Sequence, residues 1–179
     1  METKSYKLKN NDQLVLREAE LEDAKDMLRY IRQVSQESEN LTFTANEFNV
    51  TVEKQEEILK NSNESLNDLY LLGLIDNEIV SSINYVGGKR SRIKHFGEFG
   101  MAVRKEKWNL GIGGLMIDAL FDWAERTKII RKINLKVRID NEAAVHLYEN
   151  KGFKTEGKIS RGFSTNSGFV DLVCMGIEI

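Results

Sequence analysis

An apolar run from Phe99 to Val103 passes through the charged stretch Arg104 to Trp108 into Gly111-Ile112-Gly113-Gly114, and that turn opens the strongest amphipathic helix pattern of the chain. In the helix, Met116, Ile117, Leu120, Phe121, Trp123 and Ala124 share one broad face, with Asp118, Asp122 and Glu125 opposite. A strand that feeds a helix through glycines leaves the first-turn amides pointing outward, where the positive end of the helix dipole also lies. An oxyanion such as a phosphate or pyrophosphate fits that end, and glycine lets it approach the main chain closely. Taken alone, the turn is equally compatible with glycines placed for steric reasons.

The next segment narrows the choice of fold. From Lys132 to Ile139 the residues alternate, with Ile133, Leu135, Val137 and Ile139 on one side and Lys132, Asn134, Lys136 and Arg138 on the other, as in a half-buried strand. Asn141 to Lys151 reads as a short helix, started by Asp140 or Asn141 as cap and stopped by Gly152. Strand, helix and strand in this order imply a right-handed crossover, and so a parallel pair over about 96–103 and 132–139 inside a mixed sheet.

The flanking chain supplies antiparallel strands and two more helices. Gln13 to Arg17 is predicted as a strand, Glu22 to Val34 as a helix, and Thr51 to Lys60 as a second helix ending at the loop Asn61-Ser62-Asn63. Leu69–Ile75 and Glu78–Val86 form a hairpin across Asp76-Asn77, followed by a basic connection and a strand from Lys94 to Val103. Lys154–Phe163 and Phe169–Ile177 close the chain as a further pair. The irregular stretch 35–49, carrying Leu41, Phe43 and Phe48, is expected to pack down as a lid or cleft wall. No proline, repeat or linker marks a boundary, so residues 1–179 are read as one domain, large enough at 41% apolar content for a sizeable core. A net charge of −2 argues against a polyanion-binding surface and against an RNA role for the basic stretch Lys89–Lys94. No run has the length of a signal peptide or membrane span, so a cytoplasmic protein is expected. The single cysteine, Cys174, reads as a buried strand thiol.

The glycine turn, together with Asn134-Leu135-Lys136-Val137 and the run from Asp140 to Phe153, resembles the acetyl-CoA-dependent N-acetyltransferases of the GNAT superfamily. The likeness extends in order over about 13–177 and is specific from Glu98 to Phe153. It implies an α/β (α+β) fold: a mixed, mostly antiparallel sheet with a central splayed parallel pair and helices on both faces. It also implies that the pantetheine arm of acetyl-CoA enters the splay beside Met101, Ala102 and Val103. The pyrophosphate would rest on Trp108, Asn109, Leu110, Gly111, Ile112, Gly113 and Gly114, with Asn141 and Tyr148 completing the cofactor site and no metal required. Relatives commonly carry Arg or Gln where Trp108 stands; an aromatic there is similar to the ribosomal-protein acetyltransferase branch and leaves phosphate contact to main-chain amides, with Lys105 or Lys107 in support.

Attack of an amine on a thioester needs a neutral amine, a donor for the developing oxyanion and a proton for the leaving thiolate. A backbone N–H near Met101 or Ala102 is expected to be the donor. Tyr148 is the candidate acid on the family motif, against a core aromatic with its hydroxyl at the rim; Glu98 is the candidate base, against a solvated strand-end carboxylate. Asn141 is read both as a pantetheine contact and as a helix cap. His95 suits a base by its pKa but falls in a polar loop, while Asp171 and Arg161 are candidates for substrate binding. The implied function is acetyl transfer to a primary amine of a small molecule, polyamine, amino acid or peptide N-terminus, or, alternatively, CoA sensing without turnover. Glu37, Glu39 and Glu47 would form an acidic rim suited to a cationic acceptor or merely a solvated loop. No nucleic-acid or membrane partner is expected, and an edge strand near the C-terminus could pair two subunits as a homodimer.

Overall fold

The computed structural model describes residues 2–179. Its strands are β1 (Lys4–Lys7), β2 (Gln13–Glu18), β3 (Asp68–Ile75), β4 (Glu78–Gly87), β5 (Phe96–Val103), β6 (Lys132–Arg138), β7 (Lys154–Thr165) and β8 (Gly168–Glu178). The helices are α1 (Ala24–Glu37), α2 (Val52–Glu64), α3 (Ile112–Thr127) and α4 (Glu142–Asn150). One eight-stranded sheet runs β1-β2-β3-β4-β5-β6-β8-β7. Every neighbouring pair is antiparallel except β5 and β6, which are parallel. The crossover through α3 produces that pair, as the strand–helix–strand order requires.

Two cores form because the strands alternate. Phe99 on β5 and Ile133, Leu135 and Val137 on β6 meet Ile112, Met116, Ile117 and Leu120 of α3 and Tyr148 of α4 on one face. On the other face Tyr70, Leu72, Leu74 and Ile79 pack against Met27, Tyr30, Ile31 and Val34 of α1 and Leu59 of α2, with Ala102 of β5 at the margin. Helices therefore lie on both sides of the sheet, but α1 and α2 cover only its first half. Asp76 and Asn77 both take positive φ, 50° and 65°, as a two-residue hairpin turn of the expected kind demands.

Element ends depart from the sequence reading where tertiary contacts decide them. α2 continues through Asn61-Ser62-Asn63 because Ser62 is buried and the Asn63 amide donates to the Ala19 carbonyl at 3.1 Å, outweighing poor local propensity. α1 extends past Val34 to Glu37, whose carboxylate is held from outside by Arg104 and the Lys105 N–H. β5 starts at Phe96 rather than Lys94, since His95 turns its carbonyl to the Arg131 and Lys132 amides. β1 was not expected at all; it is a short edge strand of largely polar residues that lacks an apolar alternation. Cys174 is half-buried rather than sealed in the core, because it stands on the sheet face that α1 and α2 leave open. No helix among the described residues is long and apolar enough to cross a membrane.

The Tyr85 hydroxyl is buried without a hydrogen-bond partner, its ring edge-on to Trp123 at 5.3 Å. Burial pushes this phenol well above its ordinary pKa. Because an unsatisfied buried polar group costs about 1–3 kcal/mol, Tyr85→Phe should unfold at an equal or higher urea midpoint than the parent. A loss above about 1 kcal/mol would show that the hydroxyl is satisfied after all.

Candidate active site

β5 and β6 stay together for only three register pairs, Phe96↔Lys132, Gly97↔Ile133 and Glu98↔Asn134. Beyond that point β5 keeps its pairing with β4 as far as Val103, while β6 keeps its pairing with β8 as far as Arg138. The two strands part at their C-terminal ends. The Arg104 N–H donates to the Val80 carbonyl and the Gly88 N–H to the Phe96 carbonyl, so even-numbered residues of β5 turn their main chain toward β4. By the alternation of an antiparallel ladder, Phe99, Met101 and Val103 turn theirs into the gap. The expected donor "near Met101 or Ala102" is thereby narrowed to Met101, because the Ala102 main chain is directed away, its carbonyl taking the Tyr30 hydroxyl at 2.7 Å.

At the mouth of the gap stands the start of α3. Gly111 is its N-cap, left-handed at φ 85°, and no side chain caps the helix. With no side-chain cap, the first-turn amides of α3 and the positive end of its dipole lie at this opening. The three glycines of the turn differ in purpose. A side chain at Gly111 would meet nothing within 4 Å, whereas a Cβ on Gly113 would stand 2.9 Å from Leu147 Cδ2 and one on Gly114 3.3 Å from Lys151 Cε. Gly113 thus makes room for Leu147 of α4, Gly114 lies under the flexible Lys151 side chain, and Gly111 serves through its φ and its open foreground.

Trp108 is tied to the end of β5. Its indole N–H donates to the Val103 carbonyl at 2.8 Å, satisfying the last inward carbonyl of the free edge, and the ring stays 44% exposed. Lys107, one of the two lysines expected to support a phosphate, is paired with Asp12 at 3.0 Å.

The Tyr148 ring is buried, edge-on to Phe99 at 5.9 Å and to Phe153 at 5.8 Å. Phe99 is the first β5 residue past the last paired position, so Tyr148 sits against the point where the strands part. Desolvation alone pushes its phenol up to about 12, and no hydrogen bond contributes. Asn141 is the cap of α4, its side chain accepting from the Ala144 N–H at 3.3 Å.

The polar candidates divide. Glu98 lies on the opposite sheet face from Phe99 and pairs with Lys136 at 2.7 Å, both side chains about half exposed. Its hydrogen bond raises the Lys136 ammonium pKa above the ordinary lysine value. Asp171 accepts from the Arg161 N–H at 2.7 Å and pairs with Lys158, which pins the irregular stretch of β7 between Ile159 and Phe163. The Arg161 guanidinium lies over Phe169, 5.8 Å from the ring centre. His95 occupies the loop before β5 and lines the same cavity as Glu98. Of the acidic rim, Glu37 is spent on Arg104 and Lys105 and Glu47 caps Thr44. The 38–51 segment does form a wall, with Leu41, Phe43 and Phe48 packed on the α1/α2 core and the Glu39 carbonyl tied to Arg138 at 2.8 Å. Tyr30 and Lys136 had not been singled out. The alternation of β6 did place Lys136 on the polar face, but nothing local marked Tyr30, which is 72 residues from its partner.

The family model for the acetyltransferase (GNAT) family matches residues 31–153, from α1 to the end of the Tyr148 helix, and the chain belongs to that family. It is 26% identical over 105 residues to an L-amino acid N-acetyltransferase of Escherichia coli K12, covering 59% of this chain and 65% of that protein. To a spermidine N(1)-acetyltransferase of Vibrio cholerae O1 it is 31% identical over 107 residues, 60% of this chain and 56% of the relative. The match thus spans less than two thirds of the length of these curated relatives. A GNAT-family acetyltransferase structure from Streptococcus pneumoniae superimposes with a TM-score of 0.90 at 33% identity, covering 93% of this chain and 99% of that one.

Gly111 offers a clean test of the anion-binding reading. Gly111→Asn and Gly111→Asp impose similar left-handed strain, about 1–2 kcal/mol at most, but only the second puts a carboxylate before the α3 amides. Titration calorimetry should show acetyl-CoA binding retained by the Asn variant and lost by the Asp variant. Equal affinities would place the phosphate elsewhere.

Proposed function

We propose that this chain is an acetyl-CoA-dependent N-acetyltransferase that acetylates a primary amine within a ternary complex. The parting of β5 from β6 after Glu98, beside the unengaged amides of α3, is the observation that carries this reading. The donor set fits the cofactor: amides 109–114 suit a diphosphate, and the inward main chain at Met101 and Val103 suits the amides of pantetheine, in the manner of an added strand. When bound, acetyl-CoA supplies an acyl thioester whose C–S bond breaks as the N–C bond to the amine forms.

The protein's own groups then have defined tasks. The Met101 N–H donates into the gap at the position of a carbonyl oxygen that gains charge. Glu98, on the acceptor side of the sheet, holds the incoming ammonium and takes its proton directly or through water; at pH 7 only about one such amine in a thousand is neutral. Tyr148 keeps a proton on its hydroxyl for the departing sulfur. Burial that lifts the phenol also lifts a thiol in the same apolar surroundings, so their basicities move together. Asn141 acts through its cap, fixing the start of the helix that carries Tyr148. Trp108 shapes the cofactor channel by closing the Val103 carbonyl, with no phosphate contact of its own.

Three measurements bear on this. Acetyl-CoA at about 100 times its dissociation constant should stabilise the protein by about 2.7 kcal/mol, and an amine panel should then release free CoA. Stabilisation without release on any amine would mark a CoA-binding protein without turnover. Tyr148→Phe removes a hydroxyl with no protein partner, so stability and acetyl-CoA binding should hold while turnover falls about 10²- to 10⁴-fold; unchanged turnover would remove Tyr148 from the mechanism. The phenol, at about 12, is protonated throughout the working range. Plotted against pH, kcat/KM should therefore rise from 6 to 10 as the amine loses its proton; a descending limb in that range would contradict the assignment of Tyr148 as the acid.

A further inference from the structure

The sheet face opposite α3 carries a cavity of about 430 Å³ whose floor includes Glu98, Asn134, Lys136, Lys132 and Glu156. Glu98 and Asn134 are the last residues paired across β5 and β6, so the cavity adjoins the point where the gap begins. Beyond Glu98 the same face of β5 is open, since a side chain at Gly100 would meet nothing within 4 Å. An acceptor resting there reaches the gap from the side opposite α3.

The charges of this cavity are balanced. Glu98 is bound to Lys136 at 2.7 Å and Glu156 to Lys132 at 2.6 Å. Of the acids on the neighbouring segment, Glu37 is paired with Arg104, while Glu47 accepts from Thr44 and keeps its charge. Within the cavity a polycation finds both carboxylates already paired with lysines, and a simple amine that took Glu98 would stand beside a lysine it had stripped of its partner. Like charges at such separation repel. An acceptor that brings its own anion meets neither penalty, because it exchanges one ion pair for two.

We propose that the acceptor is an amino acid, its ammonium held by Glu98 and its carboxylate by Lys136. Lys136 is then the specificity-determining residue, and Glu98 is released from its protein partner only when a carboxylate takes its place. The proposal rests on the transferase reading and selects among the amines that reading allows.

The test compares L-amino acids with their decarboxylated amines, and with spermidine and putrescine, by CoA release in the presence of acetyl-CoA. The best amino acid should exceed its own decarboxylated amine at least tenfold in kcat/KM. Lys136→Met should bring that ratio within the same preparation close to one, and Lys136→Arg should restore most of it. Calorimetric titration of the CoA complex with the same amino acid should show binding that Lys136→Met weakens at least tenfold. Preference for spermidine, putrescine or the decarboxylated amines, or a ratio that Lys136→Met leaves in place, would overturn the proposal while leaving the transferase intact. Failure of acetyl-CoA to bind at all would overturn both.

Discussion

A β-strand that abandons one neighbour must leave a row of main-chain donors and acceptors without partners, and the site of this protein is built on that exposure at β5. Main-chain groups removed from water require partners, so a gap of this kind persists only where something prevents the strands from closing. Here the obstruction is aromatic. Tyr148, carried back toward the sheet by α4, packs on Phe99 one residue beyond the last paired position, and Phe153 and Phe121 extend the cluster away from the gap. β6 loses nothing by diverging, since β8 keeps pairing with it along its other edge.

The free edge is also trimmed and held in place. Trp108 takes the Val103 carbonyl and Tyr30 reaches across from α1 to that of Ala102. Arg104 and the Lys105 amide grip Glu37 at the end of α1, fixing the loop that leads into α3. What remains open is a short inward stretch centred on Met101 and the amide cluster at the helix start. Preorganised donors in a partly dry site act at full strength without moving at the moment of reaction, which is what binding and turning over a charged cofactor would require. Half-exposed ion pairs such as Glu98–Lys136 add little stability, about 0–1 kcal/mol each. Their placement beside the gap is therefore better explained by what they hold than by what they stabilise.

Much of this could be read from the chain because the informative patterns are local. The strict alternation from Lys132 to Ile139 and the helical face from Met116 to Ala124 each specify one element, and their order specifies the parallel pair. The cap of Asn141 and the positive φ values of Asp76 and Asn77 were equally legible, being short-range turn chemistry. Long-range contacts were not. α2 runs through an apparent stop because Asn63 finds the Ala19 carbonyl, and the hydrogen bond of Trp108 to the end of β5 has no local signature either. Gly113, read as making room for a ligand, also makes room for Leu147; a neighbour on another helix leaves no trace in a turn motif. Glu98 was visible as a carboxylate on the central strand, but its bond to Lys136 depends on the register between two strands.

That register also explains why cofactor and acceptor determinants differ in legibility. On the proposed reading, the two sides of one strand along β5 serve different ligands. Odd-numbered residues give main chain to the gap and apolar side chains to the α3 face, while Glu98, Gly100 and Ala102 face the other side, Glu98 in the cavity and Ala102 against the α1 core. A cofactor recognised mainly through backbone tolerates many side chains provided the geometry is kept, so its signature is glycine, length and periodicity. An acceptor recognised through side chains depends on which residues stand at a few even positions and what β6 sets opposite them. Because strand periodicity is two, a slip of one residue in β5 would exchange the faces, turning Glu98 into the apolar core and Phe99 into the cavity. The burial of Phe99 against Tyr148 and Phe153 therefore does more than fill the core: it fixes the phase in which Glu98 meets Lys136, and through that the chemistry of whatever amine the cavity receives.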